Sequence, residues 1–102
     1  MSRRVRVTPR AVEDMRQIGH YTMKLWDKLQ RDAYLREMDR RFLWLAENPY
    51  RGRSRADIAP GYYCFRQGEH LVFYTIYHDA IDIIGVPHQA MDIMAHLRDD
   101  NG

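Results

Sequence analysis

Apolar and polar residues alternate from the start of the chain. In "RRVRVTP" (3–9), Val5 and Val7 are interleaved with Arg4 and Arg6, the period of a half-buried strand. Thr8-Pro9 then reads as a helix cap and first helical residue. A threonine hydroxyl can accept an orphan backbone N–H, and proline lacks a donor that would go unused there. Glu13 and Asp14 fall in the early turns, toward the positive end of the helix dipole. Ala11, Met15, Ile18, Thr22, Leu25 and Trp26 recur at three and four, so one stripe faces a core. The pattern restarts at "DKLQ" (27–30), a capping box with Asp27 as cap and Gln30 reaching back. A second stripe of Tyr34, Leu35, Met38, Phe42, Leu45 and Ala46 runs to Glu47. Asn48-Pro49 stops it, because a residue before proline is pushed out of helical geometry. Two amphipathic helices joined this tightly predict an antiparallel hairpin, with their Met and aromatic stripes serving as packing surfaces.

Residues 48–60, "NPYRGRSRADIAP", read as a polar loop. Three strand-like runs follow. "GYYCFRQ" (61–67) meets "HLVFYTIY" (70–77) across Gly68-Glu69, where glycine is available for positive φ, and "AIDIIGV" (80–86) follows after His78-Asp79. The predicted fold is α+β, ordered β-α-α-β-β-β, with the helical hairpin packed on a small, mainly antiparallel sheet and a short C-terminal helix behind it. Residues 1–102 form a single domain in this reading, with 98–102 as a disordered tail.

Composition narrows the picture. A hydrophobic fraction of 45% is ample for one core, and a charged fraction of 29% is mixed in sign. The single cysteine, Cys64, excludes an internal disulfide and every multi-cysteine zinc motif, and as a mid-strand residue among aromatics it reads as a small core side chain. No signal peptide or membrane span is visible, so the expectation is a soluble cytoplasmic protein without membrane partners. The net charge of +2 hides an asymmetry: residues 1–59 carry 14 Lys+Arg against 8 Asp+Glu, and residues 60–102 carry 2 against 6.

The stretch "GVPHQAMDIMAHL" (85–97) carries the chemistry-bearing residues of the back half. If helical throughout, His88, Asp92 and His96 would share one face. A metal there is not expected, since such ligands spread over about 12 Å of helix while zinc bonds at about 2.1 Å. His70 and His78, eight apart on one strand, stand about 27 Å from each other and do no better. The preferred reading is that Pro87 ends the sheet and His88 and Gln89 hydrogen-bond the turn. Met91, Ile93 or Met94, and Leu97 then form a short apolar helix face, marginal alone and ordered by packing.

In order and spacing, the chain resembles the ParE branch of the RelE/ParE toxins of type II toxin–antitoxin modules, over about residues 4–97. The resemblance rests on Thr8, Pro9, Ala11, Asp14, Ile18, Tyr21 and Trp26 at the helix start, and on Asn48, Pro49, Gly52, Arg55, Asp57, Ile58, Gly61 and Tyr62 in the loop. It continues with Gly68, His70, Phe73 and Tyr74 in the hairpin, and with Ile83, His88, Met91, Asp92, His96 and Leu97 at the end. Two positions depart from the pattern: Gly85, where most such sequences carry arginine, and Pro87, where an aliphatic residue is usual. Glycine weakens a strand and proline removes a ladder donor, so the last strand should end at Val86 or bend there.

The resemblance implies one of two activities. RelE-like relatives cleave messenger RNA on the ribosome, and ParE-like relatives poison DNA gyrase by binding, without chemistry of their own. RNA cleavage needs a base, an acid and cations at the scissile phosphate, and the three later strands offer Arg66 alone unless Arg51, Arg53 or Arg55 fold toward the sheet. The expectation is therefore a non-enzymatic gyrase inhibitor with no cofactor, ribosome-dependent endonuclease being the alternative. His88, Gln89, Met91, Asp92, His96 and Leu97 form the expected target-binding region. The resemblance also implies a ParD-like antitoxin whose amphipathic arm folds on binding and whose acidic groups meet Arg10, Arg16, Arg31, Arg36, Arg40 and Arg41, with Tyr74 nearby. Lys24 is a further candidate contact on the same grounds. DNA would be reached only through the antitoxin, since no recognition helix flanked by basic residues is visible.

Overall fold

The computed structural model describes residues 3–98. A first strand, β1 (Arg4–Val7), leads into α1 (Pro9–Leu25) and α2 (Lys28–Glu47). A single 3-10 turn (Pro49–Arg51) and a two-residue strand, β2 (Arg53–Ser54), precede β3 (Tyr62–Gln67), β4 (His70–Ile76), β5 (Ala80–Gly85) and a closing helix, α3 (Ile93–Arg98). The tail expected at 98–102 lies outside the described residues except for Arg98, the last residue of α3.

The helix boundaries follow their caps. The Thr8 hydroxyl accepts the Ala11 N–H (3.3 Å), and the Asp27 carboxylate accepts the Gln30 N–H (2.9 Å), so each helix begins with one orphan donor satisfied. Ala11 and Ile18 of α1 and Met38, Phe42, Leu45 and Ala46 of α2 enter one cluster with Val72, Tyr74, Ile81, Ile83 and Val86. Leu25 departs from its expected stripe and stands exposed, while Trp26 meets Tyr34 edge-on at 5.4 Å. Asp14 and Thr22 are buried on the same stripe. Thr22 satisfies its hydroxyl by donating to the Ile18 carbonyl (2.8 Å).

The sheet has five strands in the order β1-β5-β4-β3-β2. The first strand therefore lies beside the last, in parallel, with Val5 opposite Ile81 and Arg6 opposite Asp82. Arg6 holds Asp82 at 2.5 Å, so the strand that opens the chain also closes one edge of the sheet. Gly68 has φ +61 between the paired Gln67 and His70, glycine at the first central position as a two-residue hairpin requires.

Two sequence expectations need correction. The segment 48–60 is not wholly loop, because Arg53 and Ser54 pair with Cys64 and Tyr63. A strand of two residues leaves no alternation for a sequence pattern to show. Regular pairing of the last strand ends at Gly85, after a register shift opposite Phe73 and Tyr74. Pro87 does not end strand contact altogether. Its carbonyl accepts the Leu71 N–H (2.9 Å), His88 bridges His70, and the Gln89 N–H donates to the Glu69 carbonyl (2.9 Å). Proline costs one donor here but keeps its acceptor.

Candidate functional site

Where the chain leaves β5 it crosses beneath α1 and turns into α3, leaving a cleft of about 510 Å³. From α1 come Asp14, Gln17, Ile18 and Tyr21, and the opposite wall is His70, Val86, Pro87, His88, Met91 and His96. Three histidines and a buried carboxylate thus meet over an apolar floor.

Asp14 organises one end. Its carboxylate is 7% exposed, accepts the Val86 N–H at 2.8 Å, and lies 2.9 and 3.0 Å from Nε2 of His96. The sequence reading gave Asp14 a role at the helix dipole, but Asp14 lies past the first turn of α1 and its partners come from the far end of the chain. A signal was present: a carboxylate on the same stripe as Ala11 and Ile18 has to be paired.

His70 organises the other end. It is 7% exposed, and its Nδ1 is 2.6 Å from the Tyr34 hydroxyl, which also accepts the Glu69 N–H (3.2 Å). Burial, with His88 adding to it, pushes the His70 ring down to about 4 against the weaker pull of Glu69 and Asp14. A neutral ring accepting from Tyr34 at Nδ1 carries its own proton on Nε2. Burial likewise raises the Tyr34 phenol above its ordinary range. The His88 ring stands edge-on to His70 at 5.3 Å, its Nδ1 accepts the Ala90 N–H (3.1 Å), and its Nε2 is 3.9 Å from Glu69 Oε2.

The single helical face that His88, Asp92 and His96 would share in a continuous helix does not form, in line with the preferred reading of a turn at His88-Gln89 before a short helix. Only His96 lies within α3, Asp92 caps that helix by accepting the Ala95 N–H (3.2 Å), and His88 sits on the strand-like bridge before it. The structure brings His88, Met91 and His96 together at the cleft, leaves Gln89 and Asp92 exposed, and turns Leu97 inward. Gly85 makes room for this packing. A Cβ there would meet Leu97 Cδ2 at 2.9 Å and Asp14 Oδ2 at 3.3 Å. Among the described residues, no group of three His, Cys, Asp or Glu side chains is placed to hold a metal ion.

The arginines expected at a partner surface are dispersed. Arg16 holds Glu13 (2.6 Å) on the exposed side of α1, and Arg10 is half-buried near Gly85. On α2, Arg31 pairs with Asp32 (2.9 Å), Arg40 with Glu37, and Arg36 is exposed. Arg41 turns to the sheet, donating to Gln67 Oε1 (2.7 Å) and covering the Trp44 and Phe65 rings. Tyr74 is a correction: it is fully buried, its hydroxyl donating to the Pro49 carbonyl (2.7 Å), and presents no surface to a partner.

The sheet face away from the helices also carries more positive charge than expected. Arg53 pairs in register with Cys64, Arg66 lies two residues along on the same face, and Arg55 reaches over Phe73 at 5.7 Å while holding Asp57 (3.0 Å). His88 is not beside them, since it lines the cleft against α1. Cys64 is half-buried, and burial raises its thiol despite Arg55 and Arg53 nearby.

A helical hairpin on a five-stranded, mainly antiparallel sheet, with a C-terminal helix folded back on its end, is the RelE/ParE-like fold. The family model described as "ParE toxin of type II toxin-antitoxin system, parDE" matches residues 5–93, and the chain belongs to that family. Toxin ParE1 of Mycobacterium tuberculosis is 35% identical over 98 residues, covering 95% of this chain and all of that protein. Toxin ParE1 of Caulobacter vibrioides is 34% identical over 92 residues, covering 90% of this chain and 95% of that one. A structure titled "Chromosomal ParDE TA system from P. aeruginosa" superposes with a TM-score of 0.72 over 85% of this chain and 96% of that one. At 13% identity, that likeness is one of fold.

Proposed function

We propose that this toxin acts by binding and inhibiting DNA gyrase through the segment from Val86 to Arg98, without chemistry of its own. The observation that carries the reading is the exposed Gln89-Met91-Asp92 edge beside an apolar cleft, Met91 being 44% exposed. A solvent-facing methionine between polar neighbours is suited to docking on a larger partner. Membership of the ParE family supports this reading, since gyrase is the target that the ParE resemblance implies.

The ribonuclease alternative gains Arg53 and Arg55 on the sheet but lacks an acid–base pair beside them. The groups at their side include Cys64, whose thiol is raised, Asp57, which is held by Arg55, and Tyr62, a phenol two residues from Cys64 on the same face. His70, His88 and His96 line the cleft against α1 instead.

A ParD-like antitoxin completes the proposal. Its disordered arm would fold along the helical hairpin, with acidic groups meeting Arg16, Arg31, Arg36 and Arg40. Arg10, packed near Gly85, and Arg41, turned to the sheet, contribute less in this arrangement. The direct test is supercoiling of relaxed plasmid by purified gyrase with and without the toxin. Lost supercoiling, restored by the antitoxin, supports the reading. Unaffected supercoiling together with cleavage of ribosome-bound message transfers the protein to the alternative.

A further inference from the structure

Two motif stretches far apart in sequence, the start of α1 and the end of the chain, meet in one hydrogen-bonded junction. Asp14 grips the Val86 N–H (2.8 Å) and His96 Nε2 (2.9 Å) with a single carboxylate. Val86 directly follows the last regularly paired residue of β5 and His96 is in the middle of α3, so Asp14 holds both ends of the eleven-residue passage from Val86 to His96, whose first residues also bridge to the start of β4. A helix of six residues has almost no stability by itself and takes its order from such contacts. Its other anchor is Leu97, 5% exposed, seated where the missing side chain of Gly85 leaves space. Without Asp14, the Val86 N–H would be buried with no acceptor and His96 would lose its bond to α1.

We infer that Asp14 is a positioning residue for the C-terminal segment. It fixes the pose in which Gln89, Met91 and Asp92 face outward, and it makes His96 an internal latch, not a contact for the target. This rests on the proposed use of that segment against gyrase. Two residues expected at the target surface, His96 and Leu97, are thereby reassigned to holding that surface in place. The assignment separates residues that touch a target from residues that act through the pose, and the two groups respond differently to conservative replacement.

The experiment compares the full-length toxin with His96→Ala, His96→Gln and Asp14→Ala, reading amide exchange at His96 and Leu97 by NMR beside gyrase inhibition. Glutamine places an amide donor near the position of Nε2, so it can keep the bond to Asp14. His96→Ala is expected to speed exchange in α3 by at least about tenfold, the change that follows loss of one hydrogen bond to a carboxylate, and to weaken inhibition. Exchange in α2 and β4 should stay as in the parent. His96→Gln is expected to restore both readouts. Asp14→Ala should reproduce and exceed the effect, but the inference does not depend on it, because His96→Ala leaves the Asp14–Val86 bond intact should Asp14→Ala fail to fold. Unchanged exchange in His96→Ala overturns the latch. Faster exchange with undiminished inhibition overturns the positioning role, as does His96→Gln keeping protection but losing inhibition, which would make His96 a contact. Should the parent itself fail to inhibit gyrase, loss of protection in His96→Ala and its return in His96→Gln still uphold the latch while the gyrase reading falls.

Discussion

Gly52 donates its backbone N–H to the hydroxyl of Tyr74 at 3.0 Å, and that hydroxyl donates in turn to the Pro49 carbonyl at 2.7 Å. One phenol oxygen in the middle of β4 therefore fixes both ends of the 3-10 turn and aims the chain into β2. Burial raises the phenol to about 12, so it stays a donor across the accessible pH range. A Cβ on Gly52 would collide with the hydroxyl and come within 3.0 Å of the Cys64 carbonyl. Gly52→Ala is expected to cost about 1–3 kcal/mol, as overpacking against a fixed group does, measured as a lower urea midpoint with unchanged slope. Tyr74→Phe leaves a buried donor and acceptor without partners and should cost about as much. Since Tyr74 has no surface for a partner, antitoxin affinity of folded Tyr74→Phe should match the parent.

His70 gives the fold a pH dependence of defined sign. Its ring is held at about 4 in the fold against an ordinary value of 6.5, so the fold favours the neutral form. Above pH 6.5 that contribution is complete. As pH falls, the unfolded chain takes up a proton that the folded ring refuses, and the contribution is lost between 6.5 and about 4. His70→Gln can still accept from Tyr34 but does not titrate. The urea midpoint of the parent should therefore fall more steeply than that of the variant across this window. Parallel curves would show that the ring is not held neutral.

Gly85 is one of the two positions, with Pro87, at which the resemblance to ParE-like sequences breaks, and the structure gives this departure a consequence. Gly85→Ala should be mild, because its nearest neighbour is the flexible tip of Leu97, which can turn away. Gly85→Arg, the usual family residue, has no such room between Leu97, Asp14 and Arg10. It is expected to lift α3 from its seat at a cost of about 1–3 kcal/mol. A protease cut appearing within 93–98, with an otherwise unchanged fold, is the readout. An unaltered cleavage pattern would mean that α3 does not depend on that space.

Helix pairs and hairpin strands were legible because each carries its own period: the α2 stripe of Met38, Phe42, Leu45 and Ala46 is buried as its spacing requires. The junctions were not legible, because they are made by single polar groups whose partners lie far away. Asp14 and His96 are 82 positions apart, and no local pattern links them. The placement of β1 beside β5 rests on a parallel pairing that the chain's own alternation cannot specify. In the segment 85–97, the even spacing of His88, Asp92 and His96 makes one face only in a continuous helix, and the turn expected at His88-Gln89 already argues against one. The backbone of 87–89 instead stays paired with the start of β4, where β pairing outweighs the weak helix propensity of a short, proline-containing segment.

Three arginines of α2, Arg31, Arg36 and Arg40, are the remaining expectation to test against a partner. Arg31 and Arg40 are each paired with a neighbouring acid on the same helix, and Arg36 is exposed. Pairs of this kind contribute a few tenths of a kcal/mol, so their removal should leave the fold intact and its melting temperature within a few degrees. Reversing all three to glutamate changes the charge of that face by six units, a long-range effect far larger than any one pair. Association with the antitoxin should slow and weaken in low salt, and the difference from the parent should shrink as added salt screens the field. Binding measured at two ionic strengths checks this. Equal affinity of parent and triple variant in low salt would place the antitoxin arm elsewhere, leaving these arginines as an ordinary solvated helix face.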